Sequence, residues 1–245
     1  MLPLVSIITP AYNAIRYIDE TIASVLAQDY RNIEHVIVDD ASTDETVARV
    51  MQWIAISDRI KLIQRIQNGG PGLAINNGVD ASLGMYLVPL AADDKLVPNY
   101  ASSCIQLLQN HSKVGLVYTD RCYFRVHDDN HVYRRVAAAA WDAEELRRQN
   151  YIGPGTFMVR RSIFNTVGGY RDIPQSEDYD FTLACAGLGV ICMPLHSVTT
   201  HIRVRPDSRW ASATAESVLE TDRMLQERHG HDIVPLYSRR LHGSA

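Results

Sequence analysis

No apolar stretch in this chain runs long enough to cross a bilayer. The opening Met1-Leu2-Pro3-Leu4-Val5 has no basic segment leading into a long apolar core, so it does not read as a signal peptide. Cysteine is scarce. Cys104, Cys122, Cys185 and Cys192 form no CxxC pair and read as buried or idle thiols of a reducing compartment. Charge of one sign is nearly absent in excess: the net charge of −4 argues against general attraction to nucleic acid, although 24 Lys and Arg leave room for a local basic patch. Repeats, low-complexity tracts and clear linkers are also missing. These absences lead to the expectation of a cytoplasmic protein, with contact at the inner face of a membrane left open.

What is present is ordinary globular material. The chain has 245 residues, of which 46% are hydrophobic and 21% charged, enough for one large α/β domain or one domain with a small appendage. Short apolar runs at 4–9, 33–38, 60–66, 85–90 and 114–118 predict strands. Between them, Ile15, Ile18, Ile22, Val25 and Leu26 recur at helical spacing, and Ser42 with Glu45 has the pattern of a capping box opening a second helix. Helices are predicted over 73–81 and 99–110, after a loop Asn68-Gly69-Gly70-Pro71-Gly72. Strand and helix in alternation predict a mostly parallel sheet covered on both faces. The second half is less regular: a hairpin around Asp128-Asp129-Asn130, a short polar helix over 142–150, a return strand over 156–159, and helices over 177–188 and 211–229.

Polar residues stand at the carboxyl ends of four successive predicted strands: Pro10, Tyr12 and Asn13; Asp39 and Asp40; Asn68 with its glycine-rich loop; Asp93 and Asp94. In open parallel sheets ligands bind beyond these ends. A tyrosine can stack on a base, a carboxylate can accept from a base N–H or a ribose hydroxyl, and a carboxylate pair can hold a hard divalent ion that bridges to phosphate. Either Asp pair alone reads equally well as a helix cap or a solvated loop end.

The ordered set of segments resembles family 2 glycosyltransferases, which have the GT-A fold. Val5-Ser6-Ile7-Ile8-Thr9-Pro10-Ala11-Tyr12-Asn13 is similar to the family's opening strand, and Val38-Asp39-Asp40-Ala41-Ser42-Thr43-Asp44 to its V-D-D-G-S-x-D segment. Leu90-Ala91-Ala92-Asp93-Asp94 resembles its metal motif, and Gly168-Gly169-Tyr170 with Ser176-Glu177-Asp178 its G-G-[YF]…E-D segment. The likeness runs in order from Val5 to about Ser208.

It implies an α/β fold: a doubly wound, mostly parallel sheet with a Rossmann-like nucleotide-binding half, a smaller acceptor-side region and a C-terminal helix. The corresponding division is one domain over 1–245, with a nucleotide-sugar half to about residue 120, an acceptor and catalytic half over about 121–210, and a helical extension over 211–245. The resemblance also implies roles. Pro10, Tyr12 and Asp40 would frame the nucleobase, Asp39 support that loop or touch the nucleoside, and Asn68 belong to the donor site. Asp93 would lie near the ribose and the metal, and Asp94 would be the main protein ligand of Mg²⁺ or Mn²⁺. Asp178 would be the catalytic base and Glu177 would orient it, unless Glu177 is only a charge at a helix N-terminus.

The implied activity is inverting transfer of a sugar from a nucleotide-sugar donor, UDP-linked in most members, to a glycan or lipid-linked acceptor in cell-surface polysaccharide biosynthesis. Two other classes stand beside it: a catalytically degenerate binding or interaction module of the same fold, and a nucleotidyltransferase, which would need a basic glycine-rich loop that 9–13 lacks. Three positions depart from the family pattern. Ile75 stands where an arginine is common, Ala91 where the metal motif often starts with Asp, and Arg205 where a late histidine is common, with His201 nearby. Arg209-Trp210 resembles the R-W of processive synthases without its glutamine, so Trp210 is expected to pack the last helix. His111, His127, His131, His229 and His231 have no metal-ligand spacing, and Gly153-Pro154-Gly155 is a turn or an acceptor-side wall. The last helix could pack on the core, lie on a membrane or pair with a second copy, so a homodimer stays open.

Overall fold

A computed structural model describes residues 2–125, 128–153, 155–209 and 211–236. His127, Pro154 and Trp210 lie outside them, as does the side chain of His131. In chain order the elements are β1 (Val5–Ala11), α1 (Ile18–Leu26), β2 (Ile33–Asp39), α2 (Thr46–Ile54), β3 (Ile60–Gln64), α3 (Gly70–Asp80), β4 (Tyr86–Pro89), β5 (Lys95–Leu96) and α4 (Tyr100–Asn110). The second half adds β6 (Val114–Arg125), β7 (Asp128–Val136), α5 (Ala143–Arg148), β8 (Phe157–Arg160), α6 (Arg161–Val167), α7 (Glu177–Gly187), β9 (Ile191–Val204) and α8 (Ala215–His229).

One sheet holds the strands in the order β3-β2-β1-β4-β8-β6-β9-β5, with β7 paired to β6. β3, β2, β1 and β4 are parallel, as expected from the strand–helix alternation. β8 runs antiparallel between β4 and β6, and β6 pairs in parallel with β9. The chain steps outward from β1 to β2 and β3, then returns to place β4 on β1's other side. That reversal opens the crevice in which such sheets bind ligands, between the ends of β1 and β4. Strand alternation divides the core: Ile8 faces the layer of α3, α6, α7 and α8, while Val5 and Ile7 face the layer that includes α4. Gly78 brings α3 down onto the sheet; a Cβ there would lie 2.5 Å from Ile8 Cγ2.

Several expectations need correction. α2 begins at Thr46, not Ser42: Asp44 Oδ1 accepts from the Thr46 amide (3.0 Å), and the Ser42 hydroxyl instead accepts from the Asn13 amide (3.0 Å). The glycine-rich loop is shorter than predicted, because Gly70-Pro71-Gly72 form the first turn of α3. The strand β9 and the helix α6 were not expected. β9 carries Pro194 and His196 and shifts register against β6, so it shows no clean alternation.

The C-terminal helix packs on the core. Val218, Leu225, Ile233 and Leu236 join the main core cluster. Its polar anchor is Asp180 of α7, fully buried, which accepts from Arg171 (3.0 and 2.6 Å), Arg228 (2.6 Å) and His229 Nε2 (2.8 Å). These partners hold its carboxyl below the usual range against the opposing effect of burial. Asp180→Ala would strand three polar or cationic partners, and the expected loss is about 3–5 kcal/mol in urea unfolding. Glu220→Ala, on the exposed face of α8, is expected to leave the unfolding midpoint nearly unchanged.

Candidate active site

The ends of β1 and β2 are tied together by two left-handed residues. Asn13 (φ 50°) and Ala41 (φ 63°) bend their loops toward each other, and Asn13 Oδ1 accepts from the Thr43 amide (2.8 Å). Tyr12 is 51% exposed at this rim, as a ring available for stacking must be. Asp39 is buried. Its Oδ2 accepts from the Ser42 amide (3.1 Å), while Oδ1 is buried with no hydrogen-bond partner. Such an acceptor suits a ligand N–H or O–H. Asp40 is committed differently: its carboxylate accepts from the amides of Gly69 (3.1 Å) and Gly70 (2.8 Å) and pairs with Arg65. The Asn68 side chain closes the same corner by donating to the Asp40 carbonyl (3.2 Å). Asp40 therefore caps α3, and Arg65 stands beside it at the predicted base site.

The Asp93-Asp94 loop is gripped by the exit of β9. The Arg203 amide donates to Asp94 Oδ1 (2.9 Å), and Arg203 Nε donates to the Asp93 carbonyl (3.1 Å). The Arg203 guanidinium lies over Tyr17 (4.8 Å) and Phe124 (4.5 Å) and pairs with Glu20 (2.9 Å). Two residues on, Arg205 Nε sits 2.7 Å from Asp93 Oδ2 and its guanidinium 5.1 Å from the Tyr17 ring. Beneath the loop, the Thr21 hydroxyl is 2.9 Å from the carbonyls of both Ala92 and Asp94. Burial, and then the neighbouring Asp93, push the Asp94 carboxyl well above the usual range. Arg205, not His201, therefore reaches the acid pair. His201 pairs with Lys95 across β5 and β9, 6.4 Å from the Phe124 ring, and burial with Lys95 and Arg135 lowers its pKa.

α7 delivers the other acid pair. Ser176 precedes it in a left-handed conformation (φ 57°), which turns the chain sharply into the helix. The Asp178 carboxyl is pushed up to about 7, by burial first and by Glu177 second; the amides of Tyr179 and Asp178 and the charge of Arg209 oppose them. Glu177 is not free to orient Asp178 directly, since both its oxygens accept from Arg209 Nη1 (2.9 and 2.7 Å). α3 links this corner to the nucleotide side. A Cβ on Gly72 would lie 3.5 Å from Glu177 Cβ. Asn76 clasps the Gly168-Gly169-Tyr170 turn, donating to the Tyr170 carbonyl (2.8 Å) and accepting from its amide (2.9 Å). A cleft of about 360 Å³ opens here between 68–73, 171–174 and Arg209. Ile75 is 6% exposed within the core, so this position presents nothing to a donor.

Sequence reasoning missed Arg65, Tyr17 and Glu20, and the structural part played by Arg203 and Arg209. Only the unusual arginine spacing at 203, 205 and 209 hinted at the last two.

A divalent ion fits the Asp93-Asp94 corner. Two adjacent carboxylates, one buried and raised by the other, are the share a protein contributes to a Mg²⁺ or Mn²⁺ site completed by phosphate oxygens and water. Gly155 leaves room there, since a Cβ on it would lie 3.8 Å from Asp94 Oδ2.

The family model for glycosyl transferase family 2 matches residues 6–168. The chain belongs to this family. Asp178 and the arginines at 203–209 lie beyond the matched stretch. Among relatives, EpsE of Bacillus subtilis, provisionally named as a glycosyltransferase, is 32% identical over 74% of this chain and 66% of its own length. TuaG of the same organism, provisionally named for teichuronic acid biosynthesis, is 43% identical over 38% of this chain and 37% of its own. The chain thus spans about two thirds or less of these relatives. The fold matches that of S. aureus TarS, solved with UDP-GlcNAc (TM-score 0.76, 20% identity, 91% of this chain and 66% of that one). It also matches the mannosyltransferase PcManGT of Pyrobaculum calidifontis, solved with GDP-Man and Mn²⁺ (TM-score 0.70, 22% identity, 95% and 69%). The α/β architecture of GT-A enzymes, expected from the sequence motifs, is the architecture observed.

The raised Asp178 carboxyl has a stability consequence. Between about pH 4 and pH 7 the folded chain keeps a proton that the unfolded chain has released, so stability drains as pH rises through that window. Asp178→Asn is expected to melt above wild type at pH 8 by roughly 2–8 °C, with the difference gone by pH 4, as read by calorimetry in both buffers.

Proposed function

We propose that the chain is an inverting glycosyltransferase. It moves a sugar from a nucleotide-sugar donor, UDP-linked in the first instance, to a hydroxyl of a glycan or lipid-linked acceptor in cell-surface polysaccharide biosynthesis. The observation that carries this is the pairing of a half-buried carboxyl poised near 7 with a second acid pair suited to a metal, on two walls joined by one short arginine segment. A base works best with a pKa near the working pH.

In this mechanism Tyr12 and the Asp39 and Asp40 corner hold the base, with Arg65 beside it. Asp94, with Asp93, would hold Mg²⁺ or Mn²⁺, which when bound offsets charge on the departing diphosphate. Arg205 adds a fixed positive charge at the same point. Asp178 accepts the proton of the acceptor hydroxyl as that oxygen forms its bond to the anomeric carbon. The bond from that carbon to the diphosphate oxygen breaks, and the configuration inverts. No helix among the described residues is long and apolar enough to cross a membrane. In this reading a lipid-linked acceptor would be met at the membrane surface, on the cytoplasmic side.

The test is release of nucleoside diphosphate from a panel of UDP- and GDP-sugars with Mn²⁺, with and without acceptor. Wild type is expected to turn over at least one donor. Asp178→Asn is expected to lower turnover by about 10²–10⁴ with donor binding retained, and Asp94→Ala to abolish the metal-dependent part. Equal loss of donor binding in both variants would contradict the assignment. The buried Ile75 and the Arg205–Asp93 pair favour one rival, a binding module. Tight Mn²⁺-dependent nucleotide binding in calorimetry, with no turnover on the whole panel, would establish it.

A further inference from the structure

Arg209 has no part in the mechanism above, yet its guanidinium binds the residues that lead into the base. One amino group donates to both oxygens of Glu177, at 2.9 and 2.7 Å. The other donates to the carbonyls of Ile173 (3.3 Å) and Pro174. It therefore spans the whole turn that enters α7, including Ser176 in its left-handed conformation (φ 57°). A non-glycine residue held there is strained and persists only when its surroundings fix it. Arg209 supplies that fixing, from a segment that four residues earlier pairs Arg205 with Asp93.

We propose that Arg209 is a positioning residue for the transfer reaction: by clamping Glu177 and the 173–176 turn, it sets where the Asp178 carboxylate lies and how readily it takes a proton. The proposal rests on Asp178 being the base. Glu177 is the immediate neighbour of Asp178, so an unclamped Glu177 would be free to approach it, and the two negative charges would oppose each other. The other groups around Asp178 do not offer a substitute. Tyr170 faces both acids as a neutral phenol, its pKa raised by burial and by their charges. α3 brings Gly70-Pro71-Gly72-Leu73-Ala74, which carries no charge. Arg171 is bound to Asp180. The upward displacement of Asp178 comes first from burial; Glu177 adds to it and Arg209 opposes it, in agreement with this geometry. Arg209 also lines the 360 Å³ cleft, so an acceptor seated there would meet it.

The experiment follows the Asp178 carboxyl by NMR in the full chain with ¹³C-carboxyl-labelled aspartate, assigned with Asp178→Asn. In parallel it records the acid limb of the turnover profile on the donor that the panel identifies. Arg209→Gln is expected to move both the titration and the limb upward by about one pH unit, roughly tenfold in rate on that limb. Donor KM is expected to stay within about twofold, and Arg209→Lys to bring both back most of the way to wild type. Glu177→Gln is expected to move both downward and, in the double variant, to cut the Arg209→Gln shift by at least half. An Asp178 titration unchanged in Arg209→Gln, whatever its melting temperature, would overturn the proposal. So would an equal shift with and without Glu177. Should Arg209→Gln not fold, Glu177→Gln decides it, and an unmoved Asp178 in that variant would overturn it. Absence of turnover in wild type would sink the transferase reading instead, while the NMR titration would still decide the role of Arg209.

Discussion

The crevice depends on a buried arginine. Arg203, 5% exposed, sits between the rings of Tyr17 and Phe124, pairs with Glu20, and gives its backbone amide to Asp94 and its Nε to the Asp93 carbonyl. A guanidinium can be buried at tolerable cost only when its charge is compensated. Here the engagement is what fixes the acid loop. Arg205 and Arg209 follow from the same strand exit, one to each acid pair. Three arginines spread over seven residues thus connect the wall that would hold the diphosphate to the wall that would hold the acceptor.

That arrangement explains how two pairs of adjacent, partly buried carboxylates coexist in this fold. Left alone, each pair would repel internally and resist burial. Arg205 relieves Asp93 and Arg209 relieves Glu177, while Asp94 and Asp178, which have no arginine side chain of their own, carry the raised pKa values. The two carboxyls that stay raised are the two proposed for metal binding and for proton transfer. The folded chain keeps them at the expense of its own stability, as is common where function needs a poorly satisfied group.

The first half of this fold was legible because its strands are apolar runs ending in polar residues, and Asp39-Asp40 and Asp93-Asp94 follow β2 and β4, on either side of β1 in the parallel part of the sheet. The acid pair on α7 was legible by resemblance alone; nothing in its spacing separates a base from a helix N-terminal charge. β9 was hidden by Pro194 and by register shifts, and with it the grip of Arg203 on Asp94. That contact is long-range and made partly by backbone, so no side-chain pattern announces it. The Ser42 capping box failed for a related reason. Its hydroxyl serves Asn13 across the crevice, a tertiary contact that outcompetes the local cap. Ile75 shows the limit of motif reasoning: the missing arginine is not replaced by a weaker contact but absorbed into the core.

The central claim, that both acid pairs face one nucleotide-sugar site, is tested most directly by a crystal structure with Mn²⁺ and a non-hydrolysable UDP-sugar, with the metal located by its anomalous signal. The expected map has one manganese peak within about 2.3 Å of an Asp94 oxygen, phosphate oxygens on the same ion, the base beside Tyr12 and Asp39, and the anomeric carbon turned toward Asp178. Manganese away from Asp94, or a nucleotide bound away from the ends of β2, β1 and β4, would contradict it.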